Sequence, residues 1–154
     1  MQFWNQTDWR CQVLTNAFAT GSGFALSPDG TRVACHYTQS DESGAVAQTR
    51  IEVWDVSPGA KRQIEGTPNT LSLSISPDGK WLAFGNRLGG VSVWNLSAWV
   101  PVNKFQPHQG LVHGLAFSPD SKRLATGGSD QRIHIWEAGT TNKLSTPQRR
   151  MALT

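Results

Sequence analysis

The sequence predicts an all-β protein made of consecutive four-stranded antiparallel sheets, and three observations predict it. Ser-Pro-Asp occurs three times, beginning at Ser27, Ser76 and Ser118, in steps of 49 and 42 residues. A Trp preceded by alternating apolar residues recurs as Ile51-Glu52-Val53-Trp54, Val91-Ser92-Val93-Trp94 and Ile133-His134-Ile135-Trp136, the Trp residues stepping by 40 and 42. Gly 15 and Pro 8 in a chain of 154 residues supply turns between short strands. A period near 40, strands that alternate apolar and polar, and Gly/Pro punctuation are what one four-stranded sheet per repeat looks like in sequence.

In chain order, a fourth Trp in Phe3-Trp4-Asn5 marks the end of an earlier strand. An outer strand, Arg10–Leu14, follows it, with no certain partner within the chain. The first unit then has strands at Phe24–Leu26, Val33–His36, Ile51–Trp54 and Lys61–Ile64. Its Ser-Pro-Asp-Gly turn suits a tight reversal, because Pro presets φ and Asp hydrogen-bonds its own backbone. The second unit has strands at Leu71–Ile75, Trp81–Phe84, Val91–Trp94 and Val102–Phe105. The third has Val112–Phe117, Leu124–Gly127, Ile133–Trp136 and a last strand within Thr141–Thr146, which Pro147 ends. The first unit departs from the others between its second and third strands. From Tyr37 to Arg50 it carries nine more residues than the third unit, read here as a long surface connection.

These residues resemble the WD-repeat β-propellers over about residues 3–146. Trp54-Asp55 is the dipeptide of that family, and Trp4-Asn5, Trp94-Asn95 and Trp136-Glu137 are close variants. The Ser-Pro-Asp-Gly turns at Ser27 and Ser76 resemble the bacterial style of the repeat. The resemblance implies an all-β fold of about three blades in an open arc rather than a ring closed within one chain. Residues 1–15 would be the end of a preceding blade and an outer strand; 16–65, 66–106 and 107–146 blades one, two and three; and 147–154 a basic tail. It also implies a buried polar quartet, matched in the third unit by His108, Thr126, Asp130 and Trp136. Ala17 and Gly66 stand where the other units should have His, and Phe84 and Leu88 replace the hydroxyl and the Asp of the second unit. Those two units would then rest on packing alone. Trp54, Trp94 and Trp136 would anchor the blades.

Composition narrows the function. No run of 18 apolar residues is present, so no helical membrane span is expected. The N-terminus lacks the apolar block of a secretory signal. Two cysteines, Cys11 and Cys35, are too few for a disulfide scaffold, so a reducing, cytoplasmic setting is expected. The net charge of +3 is modest, and Arg62, Arg87, Lys104, Lys122, Arg123 and Arg132 are spread over different units without interleaved aromatics, so nucleic acid is not expected. His108, Thr126 and Asp130 could be taken for a hydrolase triad, but they belong to the quartet, and no Gly-flanked nucleophile or phosphate loop accompanies them. His36, His113 and His134 lack metal-ligand spacing. No catalytic, cofactor-binding or metal residues are expected, and no cofactor.

The function expected is a non-enzymatic protein–protein interaction scaffold. The alternative is a regulatory or sensor propeller within a larger bacterial signalling protein, a kinase or NTPase. The long first-unit connection would present Tyr37, Asp41, Glu42 and Arg50 to a partner, since a rigid scaffold displays its contacts on loops. Trp9 and Trp99 fall outside the alternating pattern and could serve as packing residues or interface anchors. Three blades leave two blade faces bare, which would promote self-association or docking onto the rest of a larger propeller, with Arg10–Leu14 as the strand exchanged.

Overall fold

A computed structural model of the chain describes residues 2–4, 11–13, 23–40, 46–56, 59–67, 69–140 and 142–145. Every regular element among them is a strand. No helix among them is long and apolar enough to cross a membrane.

Sheet one contains β3 (Phe24–Leu26), β4 (Arg32–Ser40), β5 (Val46–Asp55) and β6 (Lys61–Glu65). Sheet two contains β7 (Thr70–Ile75), β8 (Trp81–Asn86), β9 (Val91–Asn95) and β10 (Val100–Phe105). Sheet three contains β11 (Val112–Phe117), β12 (Arg123–Gly128), β13 (Ile133–Glu137) and β14 (Lys143–Ser145). Each is antiparallel, with its strands side by side in chain order and none closing on itself. Ahead of them, β1 (Gln2–Trp4) pairs with β2 (Cys11–Val13).

That last pair completes one expectation. The Arg10–Leu14 strand had no certain partner within the chain, and the structure supplies one: Trp4 lies opposite Cys11 and Gln2 opposite Val13. Two segments this close in sequence close a small loop at low entropic cost, so the strand finds its partner in its own chain. The Tyr37–Arg50 connection is corrected. It is no irregular loop: β4 runs on to Ser40 and β5 starts at Val46, with Tyr37 opposite Arg50, Thr38 opposite Thr49 and Gln39 opposite Gln48. The extra residues lengthen a hairpin, and Thr38, Val46 and Thr49 are β-branched residues that suit a strand.

The alternation seen in the strands divides each sheet into two faces. Ala34, Ile51, Val53 and Ile64 of sheet one pack on Ile75, Leu82, Phe84 and Leu96 of sheet two. The other face of sheet two supplies Ala83, Val91 and Val93, which pack on Val112, Leu124 and Trp136 of sheet three. The Trp-bearing faces of sheets two and three thus each meet the Ala-bearing face of the sheet before. Trp99 is half-buried and packs on the first cluster, with the Arg62 guanidinium 5.1 Å from its ring centre. Trp9 lies outside the described residues.

Candidate functional site

The three Ser-Pro-Asp turns share one wiring. Ser27, Ser76 and Ser118 each donate their hydroxyl to the Asp two residues on, at 2.5, 2.6 and 2.5 Å. The same hydroxyls accept the backbone N–H of Arg32, Trp81 and Arg123, the first residues of β4, β8 and β12. The carboxylates accept further backbone N–H groups from Thr31, Lys80 and Lys122. Hydrogen bonds to the charged form favour it. Asp29 and Asp120 are therefore held below the usual carboxylate range, in each case first by the serine. Asp78 is also held low, although burial alone would raise it, because the bonds from Ser76 and Lys80 outweigh burial.

Sheet three brings together the four quartet residues. The Trp136 indole N–H donates to Thr126 Oγ1 at 3.1 Å. Thr126 Oγ1 lies 2.9 Å from His108 Nε2, and His108 Nδ1 lies 3.0 Å from Asp130 Oδ1. An indole can only donate and a carboxylate only accept. Trp136 therefore donates to Thr126 and His108 Nδ1 donates to Asp130, with the Thr126–His108 bond joining the two. Asp130 also accepts the N–H groups of Gln109 and Arg132, tying the loop before β11 to the turn after β12. Burial alone would raise Asp130, but the bonds from His108, Arg132 and Gln109 prevail and hold it low.

His134 joins this cluster, which its sequence spacing did not reveal. Its ring centre lies 4.9 Å from that of His108, and a ligand atom from each of His108, Asp130 and His134 lies within 4.8 Å of the others. Both nitrogens of His108 already have partners, so an ion would have to displace the Asp130 or Thr126 bond. The arrangement is that of a satisfied polar core. Burial, then Lys143 and His108, push His134 below its ordinary pKa.

The other sheets carry buried polar contacts of their own, two of them at positions where sheet three has Gly127 and Gly128, which corrects the expectation that they rest on packing alone. Register aligns Thr126 with Phe84 and Cys35, His134 with Ser92 and Glu52, and Trp136 with Trp94 and Trp54. In sheet two, Asn86 holds the β8–β9 turn, its Oδ1 accepting the N–H groups of Leu88 and Gly90 at 2.9 and 2.8 Å. In sheet one, the buried Glu52 gathers donors on Oε1: Gln63 Nε2 at 2.9 Å, Lys61 Nζ at 3.2 Å and the Tyr37 hydroxyl at 3.3 Å. His36 Nε2 accepts the Gly23 N–H at 2.9 Å. Sequence reasoning missed Asn86, Glu52 and His36 because none follows the quartet pattern. A polar residue inside an apolar strand, as in Ile51-Glu52-Val53, was the signal available.

Contacts between sheets are as specific as those within them. Arg32 Nε pairs with Asp55 at 2.9 Å, and its Nη1 donates to the Gly79 carbonyl in the turn of sheet two at 2.7 Å. The Asp78 N–H donates to Ser121 Oγ, in the turn of sheet three, at 3.0 Å. Among the residues expected to contact a partner, Tyr37 and Arg50 sit opposite each other, half-buried, on the face that carries Glu52. Burial and Glu52 raise the Tyr37 hydroxyl above its ordinary pKa. Asp41 and Glu42 lie outside the described residues.

Residues 61–95 and 99–137 match the family "WD domain, G-beta repeat". The first segment runs from β6 through β9, and the second covers β10 through β13. The chain is 33% identical over 106 residues to the Target of rapamycin complex subunit wat1 of Schizosaccharomyces pombe, a match covering 62% of this chain and 32% of that protein. It is 31% identical over 142 residues to the Protein LST8 homolog of Drosophila melanogaster, covering 86% of this chain and 42% of that one. It is 33% identical over 93 residues to Protein groucho of Drosophila melanogaster, covering 58% and 13%. The chain spans about a third of the length of wat1 and less than half that of the LST8 homolog. These three relatives are eukaryotic. They do not bear on the likeness of the turns to a bacterial style, and they lend no support to the alternative of a bacterial signalling protein. Three open four-stranded antiparallel sheets, with the WD-repeat match running from the last strand of the first through the third, give an all-β chain consistent with WD-type propeller blades in an open arrangement.

Proposed function

We propose that the chain is a non-enzymatic scaffold for protein partners, made of blades at 16–65, 66–106 and 107–146, and that it works in a reducing, cytoplasmic setting. One observation carries the proposal: among the described residues, no sheet packs on the outward face of sheet three. Ala116 and Ile133 are exposed there, beside the half-buried Ala125 and Ile135. Arg123 opposes Glu137 in sheet three as Arg32 opposes Asp55 in sheet one, and Arg32 reaches the turn of the following sheet. Arg123 is thus an exposed guanidinium at the position that ties one blade to the next. A bare apolar face beside such a group favours association. The name of wat1, a complex subunit, agrees with this reading. The face would accept a further blade, from the rest of a larger propeller or from a second copy.

His108, Thr126, Asp130 and Trp136, with Trp54 and Trp94, are proposed to be structural. The long β4–β5 hairpin, with Tyr37 and Arg50 near its base and Asp41 and Glu42 beyond them, is proposed as a partner contact.

Sedimentation and light scattering on the purified chain test the proposal. The expected outcome is mass above 16.8 kDa at micromolar concentration, reduced when Ile133→Lys and Arg123→Ala are combined. A sharp monomer with cooperative, concentration-independent unfolding would overturn it.

A further inference from the structure

A cavity of about 390 Å³ lies between sheets one and two, within the ~300–1,000 Å³ typical of ligand sites. Its lining includes Gly66, Phe84, Ser92 and Trp94. In register these are the counterparts of His108, Thr126, His134 and Trp136 in sheet three. Gly66 precedes Thr70 by the interval that separates His108 from Val112, and Thr70 and Val112 occupy matching places opposite Asn86 and Gly128. The cavity therefore lies beside the place that sheet three fills with two imidazole rings, part of which the buried Phe84 ring takes up here.

Three further observations say what the cavity can take. Phe84 stands where Thr126 accepts the indole N–H, so the Trp94 N–H has no hydroxyl acceptor there. Ser92 replaces a ring with a small hydroxyl on the same wall. The backbone bars position 66 from restoring the histidine, because a Cβ on Gly66 would sit 2.8 Å from the Thr49 carbonyl oxygen. A flat ring with an acceptor atom on its edge would meet the half-buried Trp94, beside the hydroxyl of Ser92. Glu65 and Lys104 among the lining residues can hold the amide groups of the chain that carries it.

We propose that this cavity takes the neutral imidazole of a histidine supplied by a partner polypeptide, completing in trans the ring that sheet three supplies in cis. The proposal rests on the scaffold reading, but it concerns a different surface from the bare face of sheet three. Its failure would leave the association result untouched, and the reverse also holds.

The test titrates N-acetylhistidinamide at pH 8 into the whole chain labelled with ¹⁵N, with N-acetylleucinamide as the apolar control. A ligand of this size binds with a Kd on the order of millimolar. The expected result is a saturable shift of the Trp94 indole N–H and the Ser92 amide, with the leucine probe at least tenfold weaker. Ser92→His, which places an imidazole in the wall, is expected to abolish the shift. If that variant does not fold, Thr67→Trp at the cavity lining gives the same reading. The proposal is overturned if the histidine probe gives no saturable shift, if the leucine probe binds equally, or if the folded variant binds as the parent does.

Discussion

Sheets one and three have the same strand order, the same Ser-Pro-Asp turn and the same Trp position, yet they satisfy their buried polar groups differently. In sheet three Trp136, Thr126, His108 and Asp130 form one chain in which each of these donors finds an acceptor. In sheet one Cys35 replaces the threonine and Glu52 replaces His134. The buried Trp54 N–H then lacks an oxygen acceptor, and one Glu52 oxygen, Oε2, lacks a donor. The other buried unpartnered atoms among the described residues, His36 Nδ1 and Thr49 Oγ1, also lie in sheet one. Burial, and next the Glu52 charge, push the Cys35 thiol up to about 11, so it stays a thiol with little power to accept. The repeat thus preserves its backbone without preserving its polar core. Strand pairing and apolar packing carry the architecture, and hydrogen-bonded networks set how firmly each sheet is held.

The largest expected effect comes from breaking the satisfied sheet. Asp130→Ala removes the acceptor of the buried His108 Nδ1, and of two backbone N–H groups, those of Gln109 and Arg132, which water can reach. Leaving a buried group unpaired costs about 1–3 kcal/mol, and for a domain of this size the melting temperature should fall by roughly 2–12 °C. A fall under one degree in a calorimetric melt would show that the network contributes nothing to stability.

Acid should discriminate between the sheets next. Burial depresses both His36 and His134 below 6.5. The unfolded chain then takes up these protons first, and stability is expected to drop as pH falls below about 6.5. His36 Nε2 already accepts the Gly23 N–H, so protonation would set two donors against each other. His36→Gln should flatten the part of this step that belongs to sheet one. A second loss is expected below 3.8, as Asp29, Asp78, Asp120 and Asp130, all held low in the folded state, become protonated. Denaturant midpoints measured from pH 8 to pH 3 would resolve the two stages, and a flat profile between pH 7 and 5 would contradict the first.

Exchanging the differing residues sharpens the contrast at a smaller scale. Cys35→Thr offers the Trp54 N–H a hydroxyl and should stabilise by about 0.5–1 kcal/mol, the net worth of one hydrogen bond. Thr126→Cys should destabilise by a similar or larger amount, since it also weakens the His108 bond. Equal and negligible changes in urea midpoint for the pair would mean that packing, not the acceptor, decides this position.

The smallest effect expected is at Ser121. It is the counterpart of Gly30 and Gly79 in the other two turns and shares their positive φ, at 59° against 71° and 68°. Glycine relieves that backbone. Ser121→Gly would also delete the bond from the Asp78 N–H that joins sheets two and three. The terms oppose each other, and the net change should be a few tenths of a kcal/mol. A loss above about 1 kcal/mol by urea titration would show that the inter-sheet bond dominates.

The strands and turns were legible in the sequence because they depend on neighbours in the chain. Val112–Phe117 and Phe24–Leu26 have the expected bounds, and the Ser-Pro-Asp turns form where proline and the Asp side chain bias the backbone. The quartet was legible through its likeness to a repeat pattern, since spacing alone does not say that His108 reaches across to Asp130. The β4–β5 hairpin was misread because polar residues such as Thr38, Gln39, Gln48 and Thr49 give no apolar alternation, although their backbones still pair. What the amino-acid order by itself determined is therefore the local part: strand, turn and the apolar stripe on each sheet. Tertiary structure alone decided that Arg32 would reach Gly79, that His134 would stack on His108, that Glu52 would gather three donors, and that a glycine and a serine would leave a cavity beside Trp94. Those outcomes join residues from different strands or sheets. Their distances are set by how the faces pack, and no periodicity along the chain encodes them.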